Sequence, residues 1–367
     1  MTLLSGAYRL FFPAAGLMAT LAIPLWVLSF EGNGVQNFEV TKNWHVHEML
    51  FGYLGAALAG FLLTALPNWT GRPTLSGLPL LVLFLLWLTG RVVMLAAPDL
   101  APLTLAFSVA LATITSHEII RGGNTRNLVV AGILWLFALA HGLMIWGDPL
   151  VAQRLGFGLA ACLLTLIGGR ITPAFTRNWL KAQGKPTVIP EFGRIDKIAI
   201  ASTVLAMLSW VALDMHPVTG LLAAAATVAQ ALRLARWKAP SVRAEPLLLA
   251  LHAGYGWLVI ALALLAARAF GVEAVGASVA HAFGAGAVGS MTLIVMTRAL
   301  LGHSKRKITA NWLDILALLS VHVGAVLRLI AEGNGSQEIL MLSGVLWSVG
   351  FAAFVLRAVP LALTRTA

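Results

Sequence analysis

The chain alternates long apolar runs with short polar breaks. Twelve runs stand out, near residues 8–30, 46–66, 75–97, 100–120, 127–147, 151–172, 197–214, 217–236, 246–268, 275–300, 312–330 and 338–360. Most are close to the roughly 20 residues that a helix needs to cross a bilayer. The breaks hold Pro, Gly or Asn, as at Pro67-Asn68, Pro98-Asp99 and Gly333-Asn334-Gly335, which are residues that end helices and make turns. The longest break, about 173–196, is basic and reads as a loop, not as a boundary between soluble domains. Backbone polar groups in lipid must pair internally, so the runs are read as helices. The pattern predicts an all-α, polytopic membrane protein forming a single domain over 1–367.

Composition strengthens that reading. Hydrophobic residues make up 59% of the chain and charged residues 11%, against about 25% charged in soluble domains. The net charge of +11 would suggest nucleic acid in a soluble protein, but the charges are placed by topology. With the N-terminus inside, only Lys42, Arg91, Arg154, Arg268 and Arg328 fall at outer ends. The other 20 of the 25 basic residues, from Arg9 through Lys305-Arg306-Lys307 to Arg365, fall at inner ends. By the positive-inside rule both termini are cytoplasmic, and no nucleic-acid partner is expected. Cys162 is the only cysteine, which excludes an intrachain disulfide and a multi-thiolate metal site. The first run shows no cleavable signal pattern.

A faint repeat of four helices runs through the chain. Tyr8, Asn127 and Pro246 open runs 119 residues apart, and His47, Gln153 and His281 each precede a glycine by five residues. Gly52, Ala56 and Gly60 form a small-residue stripe, as do Ala282, Gly286 and Ser290. Close helix packing explains both, while room for a flat macrocycle beside His47 and His281 is the functional alternative. Several motifs fail on context. Gly284-Ala285-Gly286-Ala287-Val288-Gly289 lies inside a span and follows no strand, so it is not a dinucleotide loop. Asn68-Trp69-Thr70 sits on the expected cytoplasmic side, and neither His47-Glu48 nor His117-Glu118 has a histidine at zincin spacing.

Nine histidines carry the chemistry. The topology puts His45, His47, His141, His281, His322 and His216 in or near the outer half. His117 and His252 lie deeper toward the inside, and His303 in a basic loop. Ionisable side chains inside spans are costly and mark sites. Neutral imidazole ligates haem iron and copper. The expectation is therefore that His47 and His281 ligate haem and that His45 serves copper or a second site. His141 and His322 are the replacements, or ligands of a second metal. His45 and His47 project to nearly opposite sides of a helix, about 200° apart. Arg91 and Arg328, against the charge trend, suit haem propionates or simply snorkel to the interface. Glu48 is a candidate proton carrier, a metal ligand, or a favourable charge at a helix N-terminus.

The run Trp44-His45-Val46-His47-Glu48-Met49-Leu50-Phe51-Gly52, followed by Ala59-Gly60-Phe61-Leu62-Leu63-Thr64-Ala65 and Pro67-Asn68-Trp69-Thr70-Gly71-Arg72, resembles the signature region of the NnrS family. The later Gly168-Gly169-Arg170-Ile171-Thr172-Pro173-Ala174-Phe175-Thr176 run is similar to that family too. The resemblance implies a bacterial inner-membrane protein containing haem b and copper, associated with denitrification and nitric oxide stress. Three functions then stand open. The leading one is a haem protein that binds and disposes of nitric oxide, in its enzymatic form a reductase running 2NO + 2e⁻ + 2H⁺ to N₂O and water with quinol as electron donor. The others are a non-catalytic NO binder protecting cellular iron, and a transporter of metal, haem or a small anion.

Overall fold

A computed structural model describes residues 3–30, 40–73, 75–186 and 189–364; Arg365, counted above among the inner charges, lies outside them. The described residues form helices and no strand. Twelve helices are long and apolar enough to cross a membrane: α1 (Ala7–Ser29), α2 (Lys42–Thr70), α3 (Gly77–Ala96), α4 (Pro98–Arg121), α5 (Thr125–Trp146), α6 (Pro149–Ala182), α7 (Arg194–Leu213), α8 (Pro217–Ala235), α9 (Pro246–Ala269), α10 (Ser278–His303), α11 (Trp312–Asn334) and α12 (Gln337–Leu363). The chain clusters into two compact units, described in turn. One comprises Met1–Gly156, Val295–Ile308 and Trp347–Ala367, and the other Phe157–Ile294 and Thr309–Leu346.

In the first unit α2 is the central helix. Gly55 through Gly60 are all buried, and the small-residue stripe lets neighbouring side chains reach its backbone. A Cβ on Gly60 would meet the Phe12 ring of α1 at 2.6 Å, and one on Gly55 would meet Phe107 of α4 at 3.3 Å. Phe11 packs edge-on to Phe84 of α3, ring centroids 5.5 Å apart. Tyr53 lies edge-on to Phe351 of α12. Close packing is thus what the stripe does at Gly60.

The first turns of α2 depart from α geometry. Thr41 caps the helix, its hydroxyl accepting from Trp44 N–H at 3.1 Å. After His47 the backbone runs as a π-helix over Glu48–Leu54. Such insertions are rare and cluster at functional sites. Two more π segments occur among the described helices, Leu164–Gly168 in α6 and Ala282–Gly289 in α10.

The second unit is tied by a buried polar network around Arg233 of α8, which is fully enclosed. Its Nε donates to Asp196 at 2.8 Å, and one terminal nitrogen donates to Thr165 O at 2.8 Å and Tyr255 Oη at 2.9 Å. Tyr255 in turn donates to Gln230 Oε1 at 2.6 Å. Gln230 donates to Thr203 Oγ1 at 2.8 Å and Thr165 Oγ1 at 3.1 Å. This network corrects one boundary. The sequence places the end of the sixth span near 172, ahead of Pro173, yet α6 continues to Ala182. Proline removes the N–H that would bond Gly169 O. Arg233 supplies a replacement donor at 3.4 Å, so the helix survives and the basic loop starts ten residues later.

A candidate metal centre

Four helices of the first unit converge on one point. His47 ends the α-helical first turns of α2, and the π-helix places Glu48 beside it. Arg91 projects from α3 with Trp87 one turn before it. His141 comes from α5, opposite Thr104 and Ser108 of α4. All seven are buried: His141 is 0% exposed, Glu48 1% and His47 2%.

The hydrogen bonds form a single chain. Arg91 donates to Glu48 Oε1 at 2.6 Å, and His47 Nδ1 donates to the same oxygen at 2.8 Å. With its proton on Nδ1, His47 presents a lone pair on Nε2. That atom lies 2.8 Å from His141 Nε2. Thr104 Oγ1 sits 3.0 Å from His141 Nε2 and 3.4 Å from His47 Nε2. Its own hydrogen is committed to Ala101 O at 2.7 Å, so toward the imidazoles it is an acceptor. Ser108 Oγ lies 2.8 Å from His141 Nδ1. The assignment that satisfies the shorter contacts has Ser108 donating to His141 Nδ1 and His141 Nε2–H donating to His47 Nε2, with Thr104 Oγ1 and His47 Nε2 both acceptors. Phe51 fixes the His141 ring from one side, stacked at 4.3 Å and 5°.

The supporting shell is as specific as the pair. Trp87 Nε1 donates to Gly52 O at 2.9 Å, partnering a carbonyl within the π turn. Gly52 is required for close approach: a Cβ there would collide with the Arg91 guanidinium and lie 3.0 Å from Glu48 Oε2. Each imidazole thus has its outer nitrogen held by an oxygen, the arrangement that orients metal-ligating histidines.

Among the described residues no three His, Cys, Asp or Glu side chains are grouped to hold a metal ion, so the protein offers two imidazoles and a hydroxyl. Metal–imidazole bonds of about 2.0–2.1 Å put adjacent ligand nitrogens about 2.9 Å apart and opposed ones about 4 Å apart. The observed 2.8 Å is that of the N–H···N hydrogen bond and is also close to the spacing of adjacent ligands on one small ion. It does not match a haem clamped between these two rings.

The other expected site residues lie elsewhere. His45 stacks on Trp26 of α1 at 5.2 Å. Arg91 is occupied by Glu48, and Arg328 pairs with Glu332 at 3.1 Å; neither guanidinium stands open in the structure. His281 and His322 belong to the second unit. His281 Nδ1 donates to Ala277 O at 3.0 Å. His322 Nδ1 instead accepts from Trp257 Nε1 at 3.0 Å, so its proton sits on Nε2, the wrong tautomer for ligation there. The small face at Gly286 is filled by the Trp257 ring, which a Cβ would meet at 2.6 Å. His252 Nε2–H donates to Thr176 Oγ1 at 3.0 Å, an ordinary buried histidine bond. Sequence reasoning missed Thr104, Ser108 and Trp87; hydroxyl and indole groups in apolar runs are too common to single out.

Fold and site together define a multi-pass membrane protein with a buried imidazole pair supported by an ion pair. The family model described as NnrS protein matches residues 2–365, and the chain belongs to the NnrS family. Membership links it to the response to nitric oxide. No curated protein matches the chain.

Proposed function

We propose that this chain binds nitric oxide at a metal held by His47 and His141, and that it works as a haem- and copper-containing NO-disposing protein of the bacterial inner membrane with both termini cytoplasmic. The observation that carries the reading is the convergence of two Nε2 atoms at 2.8 Å, each ring anchored from behind. His47 already presents its lone pair. His141 presents one when its proton moves to Nδ1, where Ser108 Oγ stands ready to accept it at 2.8 Å. Copper suits such an imidazole donor set. When bound, a redox metal offers NO a coordination position and the electron that its reduction consumes. The surrounding residues exclude water, and Arg91 balances the Glu48 charge. His281, whose Nδ1 is held by a carbonyl, is the residue that fits a haem axial ligand. Reduction of two NO to N₂O also needs protons and an external donor, for which quinol is the membrane-soluble class.

Metal analysis and spectra of purified protein test this. His47→Ala and His141→Ala should each abolish the copper signal and its response to NO while the protein still inserts. Full metal content in both variants would refute the site. Metal and NO binding without turnover under a quinol donor would favour the non-catalytic NO binder.

A further inference from the structure

In the second unit, α6 is longer than a bilayer requires. It runs 34 residues, about 50 Å at 1.5 Å per residue, against a hydrocarbon thickness of about 30 Å. Its last turns therefore pass the membrane boundary, and their sequence changes to match. Over Gly169–Ala182 one face stays buried through Gly169, Thr172, Pro173, Thr176 and Leu180. Arg177 and Lys181, four residues apart, share another face. Arg177 donates to Pro190 O at 3.2 Å and so ties down the loop that leads into α7, whose first turn carries Arg194 and Lys197. Lys181, Lys185, Arg194 and Lys197 are exposed. Of the acids in this stretch, Asp196 is already held by Arg233 and Arg236, which leaves the exposed Glu191 against these cations. Apolar surface gathers here too. Lys185 Nζ lies over the Trp179 ring at 5.3 Å, and Phe192 is 58% exposed and Ile198 60%. Arg194, Ile198 and Leu205 follow one another along one face of α7, at i, i+4 and i+11, all exposed. A cation at the boundary is thus followed by an apolar ridge that runs into the membrane. The positive-inside rule counts charges and is indifferent to their arrangement, so it explains neither the shared faces nor the exposed rings among them.

We propose that this patch binds an anionic phospholipid, its headgroup phosphate held by Lys181, Arg194 and Lys197 and an acyl chain lying along Ile198 and Leu205. Basic side chains at the membrane surface attract anionic headgroups, and the Arg194 guanidinium adds a fork that matches phosphate oxygens. Trp179 is a residue of the type that anchors at this boundary. A zwitterionic headgroup offers the same phosphate but brings a cationic group that these side chains repel, so net negative charge sets the selectivity. The site is independent of the metal reading; with the topology proposed above it faces the cytoplasmic leaflet.

The test uses full-length protein in detergent micelles, analysed by native mass spectrometry with equal amounts of phosphatidylglycerol and phosphatidylcholine of the same acyl chains. Wild-type protein should retain phosphatidylglycerol in preference. The triple change Lys181→Gln, Arg194→Gln and Lys197→Gln should weaken that retention by about tenfold or more. The same treatment of Lys305, Arg306 and Lys307, in a separate basic loop, should leave it unchanged. Phe192→Ser with Ile198→Ser keeps every charge, and with it the insertion signal, and should weaken retention as well; this variant decides the matter if the triple variant fails to insert. No preference in wild type, equal loss from the two basic loops, or indifference to the Phe192 and Ile198 changes would each overturn the site. Displacement of the lipid by inorganic phosphate alone would overturn it too, because the patch would then be a site for the free ion.

Discussion

Replacing Arg91 by Met isolates the energetic role of the ion pair behind His47. The guanidinium and the Glu48 carboxylate are 2.6 Å apart, with 8% and 1% of their side chains exposed. Their Coulomb attraction is largely offset by lost hydration, so the net value of the intact pair is small. Removing one partner is different, because the other charge then stays buried alone. Arg91→Met should cost about 3–5 kcal/mol, and Glu48→Leu a similar amount. The double variant leaves no orphan charge and should be far more stable than the sum of the two losses. The cycle is measured by SDS-driven unfolding in mixed micelles, followed by far-ultraviolet circular dichroism. The metal reading adds a condition: the double variant recovers stability without recovering the metal, since His47 has lost its Nδ1 acceptor. A loss under about 1 kcal/mol for Arg91→Met, or strict additivity in the cycle, would refute the reasoning.

Three further outcomes are expected. Glu48→Ala should weaken metal affinity by about 10–100-fold, the usual effect of removing a carboxylate behind a ligating histidine, measured by competition with a chelator of known affinity; unchanged affinity would make Glu48 structural only. Arg233→Met in the second unit should destabilise by about 1–3 kcal/mol by leaving buried acceptors unpaired, Asp196 keeping Arg236 at 3.3 Å, yet leave the NO-induced spectral change intact, so loss of that change in folded protein would contradict the assignment of the site to the first unit. Reporter fusions at Thr41 and Gln183, separated by five spans, should report opposite sides of the membrane, with Gln183 cytoplasmic, and the same side for both would overturn the topology.

Much of this architecture was legible from periodic apolar length. The helices agree with the runs to within a few residues except where tertiary donors intervene, as Arg233 does for Pro173. His47, Glu48, Arg91 and His141 were all marked by being ionisable within apolar runs, which is a physical cost that demands a reason. What could not be read was their pairing. Depth alone makes His281 and His141 equivalent partners for His47, because depth fixes one coordinate and leaves rotation about each helix open. The rotation of His47 depends on the π turn that follows it, and a π insertion has no hydrophobic periodicity of its own. The role of Arg91 was hidden for the same reason: its partner, Glu48, is on another helix. Arg233 was counted only among the inner basic charges, because its convergence with Asp196 depends on the packing of α7 on α8.

The three π segments give the faint repeat a structural counterpart. Among the described helices they occur in α2, α6 and α10, four spans apart each time, in the helices where the sequence spacing aligns. Each sets glycine backbone against a bulky partner: Gly52 meets Arg91, Gly169 meets Arg233 and Gly286 meets Trp257. In each, a side chain also donates to a carbonyl of the segment. Trp87 bonds Gly52 O, Arg233 bonds Thr165 O, and Ser290 bonds Gly286 O. Backbone carbonyls in an apolar environment must find donors, and these side chains add to the backbone donors at each segment. The alignment is closest between α2 and α10, where the segment begins immediately after His47 and after His281. In α6 Gln153 occupies the histidine position, and the π turn is shifted to Leu164–Gly168, where it serves the Arg233 network instead of an imidazole. The chemistry therefore follows the histidine and not the turn: the same backbone device positions a candidate ligand in two helices and a structural knot in the third.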